Sequence, residues 1–131
     1  MQMNSTQLET AAPFQSVQQI QATVREALQF IMGNSSPEML KEMSIIFMED
    51  ATPLINQLKV SYSNQDFKSI NMAAHTLKGS SATMGLEKIA DLCLAIEISS
   101  KRQENSQLRI HISNVESEYA QIRNALLAFQ I

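Results

Sequence analysis

Tryptophan is absent from this chain, cysteine occurs once, and glycine and proline occur three times each in 131 residues. Six such punctuating residues are too few for the turns of an all-β fold, which leaves helices joined by short loops. The single cysteine, Cys93, excludes an internal disulfide and fits a reducing compartment. Positive charge is also scarce. Ten Lys and Arg against 13 Asp and Glu give a net charge of −3, without the basic face that nucleic-acid binding needs. No apolar run is long enough to cross a bilayer. The opening MQMNSTQLET has neither the basic nor the apolar region of a signal peptide. What is present is a hydrophobic fraction of 44%, enough for the core of one small domain. The expectation is a cytoplasmic all-α domain with no nucleic-acid, membrane or small-molecule partner.

Residues 1–12 are polar and aperiodic and are expected to be flexible, with one helical domain over 13–131. Phe14, Val17, Ile20, Val24, Leu28 and Ile31 recur at helical spacing, and Gly33 with Asn34 supplies a stop. Ser35, Ser36, Pro37 and Glu38 form a start signal. A stripe of Met39, Met43, Ile46 and Phe47 follows and resumes at Leu54 and Leu58. Pro53 cannot donate to the Glu49 carbonyl, which predicts a kinked helix or two abutting ones. SYSNQD at 61–66 is predicted as a loop. A third helix should run from about Asp66 to Met84, with Gly85 at its left-handed stop. A fourth should carry Leu86, Ile89, Cys93 and Ile96 inward, and SSKRQENSQ at 99–107 should turn the chain. In the last helix Leu108, Ile112, Val115, Tyr119, Ile122, Leu126 and Phe129 alternate spacings of four and three. Amphipathic helices with short connections make an antiparallel bundle.

Within the third helix, Phe67, Ile70, Ala74, Leu77 and Met84 cluster on one side, and His75 lies roughly 140° from that stripe. The imidazole therefore faces solvent, among Lys68, Asn71, Met72, Lys78, Gly79 and Ala82. Gly79 costs about 1 kcal/mol relative to Ala inside a helix. Pointing outward, it gives the core nothing and instead leaves room for another molecule to approach His75. An exposed imidazole is a usable nucleophile at neutral pH. Lys78, one turn on, could neutralise an anionic group such as a phosphoryl at its nitrogen. Met72 is the methionine expected to touch a partner. His111, about 40° from its own stripe, should be a half-buried structural residue that forms no metal site with His75. Glu87, Asp91 and Glu97 are expected at the surface, Glu97 pairing with Lys101 at i,i+4.

The stretch MAAHTLKGSSATMGLEKIADLCLAIE, residues 72–97, resembles the signature of histidine-containing phosphotransfer (HPt) domains. Ala74, His75, Thr76, Leu77, Lys78, Gly79 and Ser80 match the A-H-T-L-K-G-S run, with Gly85, Cys93 and Glu97 at the later positions. The resemblance implies an up-down antiparallel four-helix bundle with an additional N-terminal helix. It implies that His75 is phosphorylated, that Lys78 steadies the phosphoryl group and that Gly79 keeps space for the partner. The implied partners are response-regulator receiver domains or a hybrid sensor histidine kinase. The receiver would bring the acidic pocket and Mg²⁺, so this chain would need no cofactor of its own. No Gly-rich phosphate loop is present, so the expectation is a phosphorelay intermediate that is not itself a kinase. A competing expectation is a non-catalytic helical adaptor that binds a partner through the His75 face.

Overall fold

A computed structural model describes residues 15–130, in five α-helices and a short C-terminal 3₁₀ turn. Helix α1 spans Val17–Met32, α2 Pro37–Ser63, α3 Phe67–Thr83, α4 Glu87–Lys101 and α5 Asn105–Leu127, with the 3₁₀ turn at Ala128–Gln130. Helices α2 to α5 form the four-helix bundle: α2 and α4 each pack against both α3 and α5. The turns between them are tight enough to force antiparallel neighbours.

The helix starts are set locally. The Ser16 side chain accepts from the Gln19 amide while the Gln19 side chain accepts from the Ser16 amide, a reciprocal cap on α1. Ser36 caps α2 and places Pro37 in the first turn, where its missing N–H costs nothing. Asp66 caps α3 through the Ser69 amide. Gly33 ends α1 at φ 65°, in the left-handed region.

The α4 and α5 stripes match expectation as far as Leu126, while Phe129 lies past α5 in the 3₁₀ turn and is half-buried against the core. Leu86, Ile89, Cys93 and Ile96 are buried, as are Leu108, Ile112, Val115, Tyr119, Ile122 and Leu126. On α1, Ile20, Val24 and Leu28 are buried, while Val17 and Ile31 at the two ends are exposed. Phe14 lies outside the described residues.

Three expectations are corrected, and one of two alternatives falls. The buried face of α2 is Leu40, Ser44, Phe47, Ala51, Ile55, Leu58 and Ser61, so Met39, Met43 and Leu54 sit half-buried on its shoulder and Ile46 is exposed. Small side chains at 44 and 51 let neighbouring helices approach, which a search for large apolar residues overlooks. Of the two alternatives at Pro53, the pair of abutting helices is excluded, since α2 is one 27-residue helix. Pro53 is exposed, so water can take the orphaned Glu49 carbonyl. The loop expected at 61–66 is shorter. Helix α2 runs through Ser63, and Ser61 Oγ, buried, donates to Ser69 Oγ at 2.7 Å. At 99–107 most of the polar run is helical, and Ser99 and Ser100 are buried.

Helix α1 lies across one end of the bundle. Gln21 Nε2 donates to the Ala125 carbonyl at 3.0 Å, and the Arg25 guanidinium sits 5.4 Å from the Phe129 ring centre. The α3–α4 turn abuts α1 at Gly85, whose φ is 74°. A Cβ there would lie 2.7 Å from the Ala27 Cβ.

Candidate functional site

His75 projects from the middle of α3 with 71% of its side chain exposed. The expected outward face is present around it: Lys68, Met72, Gly79 and Ala82 are all exposed. A Cβ added to Gly79 would meet nothing within 4 Å. The glycine therefore answers no packing demand, and its place beside the imidazole keeps the approach open.

The residue beneath the ring is Glu97, which was expected at the surface. Glu97 is buried rather than at the surface, and it does not pair with Lys101. Its Oε2 lies 2.9 Å from His75 Nδ1, across 22 residues of sequence. Its Oε1 lies 2.5 Å from Lys78 Nζ. One carboxylate thus holds both the imidazole and the ammonium of the site. Burial alone would raise the Glu97 pKa, but the hydrogen bonds from Lys78 and His75, with their charge, outweigh it and hold the carboxyl below its usual value. The signal for this was available: Glu97 follows Ile96 and falls one turn after Cys93, on the shoulder of the α4 core stripe that meets α3.

Two further expectations change. Lys78 is half-buried and tied to Glu97 rather than free over the surface. Asn71 is half-buried and turned toward α4, where its Nδ2 donates to the Glu97 carbonyl and to Ser100 Oγ, both at 3.2 Å. Ser100 Oγ in turn donates to the same carbonyl at 3.0 Å. This bracket fixes the backbone of the residue that holds the imidazole.

The chemical consequence concerns the tautomer. An ionised carboxylate at Nδ1 can only accept a hydrogen bond, so the neutral ring carries its hydrogen on Nδ1 and its lone pair on the exposed Nε2. A nucleophile aimed at solvent and oriented from below is the result.

Burial of a carboxylate does not by itself mark the site. Glu118 on α5 is as deeply buried and pairs with Lys88 at 3.3 Å, but no imidazole reaches it. His111 is half-buried on α5 as expected, and α5 does not pack against α3. Cys93 is fully buried, and burial, then the charge of Glu97, pushes its thiol up to about 12. Glu87 and Asp91 are exposed. Among the described residues no three His, Cys, Asp or Glu side chains converge as metal ligands would, and no helix is long and apolar enough to cross a membrane.

Comparison with known proteins gives a consistent set. The Hpt domain family model matches residues 42–129. Histidine-containing phosphotransfer protein 1 of Arabidopsis thaliana is 27% identical over 101 residues, covering 76% of this chain and 66% of that protein. The chain thus spans just under two thirds of that relative's length. Sensor protein TorS of Escherichia coli (strain K12) is 32% identical over 60 residues, 46% of this chain and 7% of that one. Among solved structures, the crystal structure of the histidine-containing phosphotransfer protein ZmHP2 from maize superposes with a TM-score of 0.69. It covers 96% of this chain and 88% of its own at 23% identity, a likeness of fold.

Proposed function

This chain belongs to the Hpt domain family, and from that premise we propose that it is a phosphorelay intermediate that carries a phosphoryl group on His75 between receiver domains. The observation that carries the reading is the exposed imidazole whose Nδ1 is held by buried Glu97.

In the forward step the Nε2 lone pair attacks the phosphorus of a receiver's phospho-aspartate. The N–P bond forms as the P–O bond to the aspartate breaks, and the released carboxylate keeps the bonding pair. The Nδ1 proton stays on the ring, where the Glu97 carboxylate balances the positive charge that N-phosphorylation leaves on the imidazole. In the reverse step an aspartate oxygen of a second receiver attacks the phosphorus, and the N–P electrons return to Nε2. Lys78 lies one turn away, tied to Glu97, and in this reading its ammonium steadies the phosphoryl oxygens. Gly79 and Ala82 leave the approach clear, and Met72, 57% exposed, offers apolar contact to the docked partner. The reading assigns Mg²⁺ to the receiver, and no step above runs through it. The protein passes on a phosphoryl group that another protein supplies, with no kinase activity of its own.

The test is phosphotransfer against a panel of phosphorylated receivers with Mg²⁺, following acid-labile, base-stable label. Wild type should take label, and His75→Gln should take none. Equal labelling of the two would overturn the reading. Full biological output from His75→Ala would favour the adaptor reading instead.

A further inference from the structure

Among the described residues three lysines are paired with carboxylates: Lys59 with Glu116, Lys78 with Glu97 and Lys88 with Glu118. Lys68 and Lys101 pair with no carboxylate among the described residues. They nevertheless sit together, because antiparallel packing brings the first turn of α3 beside the last turn of α4. Both line one open hollow of about 430 Å³. Its apolar wall is Phe67 and Met72, and no carboxylate lines it. Asn71 and Ser100 also border it, but their polar groups are already engaged at the Glu97 carbonyl. In a chain of net charge −3, this is a local inversion of sign.

The hollow opens on the face that carries His75. Met72, one of its walls, precedes the imidazole by one turn, and Lys68 stands two turns before it. Two ammonium groups over an apolar wall complement a carboxylate on a short aliphatic stem. We propose that this hollow is a second docking point for the partner engaged at His75, and that it receives an acidic side chain of the receiver. Lys68 and Lys101 face its carboxylate, while Phe67 and Met72 cover its stem. The proposal rests on the phosphorelay reading for the identity of the partner and adds a determinant of which receivers are accepted. Exposed ion pairs contribute little individually, so the expected work of the two lysines is steering and discrimination rather than chemistry.

The experiment titrates a receiver that labels wild type, at low and high salt, against Lys68→Glu, Lys101→Glu and the double variant. Lys41→Glu is the charge control, since Lys41 likewise pairs with no carboxylate among the described residues and does not line the hollow. The double variant should bind roughly tenfold more weakly at low salt and lose most of its salt dependence. Reversing an acidic residue on the receiver to Lys should restore affinity to the double variant. Lys68→Gln with Lys101→Gln should show a smaller loss of the same kind. A double variant that binds no worse than Lys41→Glu overturns the proposal while wild-type labelling leaves the phosphorelay reading standing. A wild type that takes label from no receiver overturns both.

Discussion

Gly79 and Gly85 stand six residues apart around the end of α3, and they are glycine for opposite reasons. Gly85 is enclosed: its φ of 74° suits glycine, and a Cβ would collide with Ala27 of the N-terminal helix. Gly79 has ordinary helical surroundings and empty space where a side chain would go. The first is required by the fold. The second weakens the fold slightly and leaves room over His75. The difference teaches that a costly residue with no structural beneficiary points to a partner outside the chain.

Substitution should separate the two sharply. Gly85→Ala combines left-handed strain with a clash and should destabilise by about 3 kcal/mol, measured by urea unfolding. Gly79→Gln should leave the fold intact and slightly more stable, and slow transfer from receivers on the order of tenfold, because a long side chain sits in the partner's path. Equal transfer rates would break the comparison. Gly79→Ala should raise stability by about 0.5 to 1 kcal/mol, opposite in sign to the same change at Gly85.

The smallest effect concerns the group beneath the imidazole. The Glu97 carboxyl titrates below its ordinary value of 4.5 in the folded protein. Its folded pKa is the lower one, so its contribution to stability is fully present above the unfolded value. That contribution is lost as pH falls from about 4.5 through the depressed folded value. Glu97→Gln should therefore flatten the acid limb of the stability profile in that window and change its slope little near neutrality. An unchanged acid limb would detach Glu97 from the ion pairs assigned to it.

Much of this was legible in the sequence, for reasons that differ by element. Helix α5 could be read almost completely because its large apolar residues hold one register from Leu108 to Leu126. The outward placement of His75, Met72 and Gly79 followed from the same periodicity in α3. Helix α2 was misphased because Ser44 and Ala51 are buried by virtue of size, while Ile46, more hydrophobic than either, is exposed. The His75–Glu97–Lys78 arrangement was half legible. Each residue was visible, but a pairing across two helices depends on their relative rotation, which no single-helix wheel contains. The turn of Asn71 toward α4 was hidden for that reason too, since its hydrogen bonds to the Glu97 carbonyl and Ser100 Oγ cross between helices.

Cys93 gives the α3–α4 pair a clock of its own. Its sulfur is fully buried one turn before Glu97, and its thiol titrates near 12. A thiol-specific reagent therefore meets no thiolate until the helices part. The rate at which Cys93 becomes modified in the native protein counts those openings directly. Run with and without a phosphoryl group on His75, the same measurement times whether loading the imidazole tightens or loosens the helix pair that holds it.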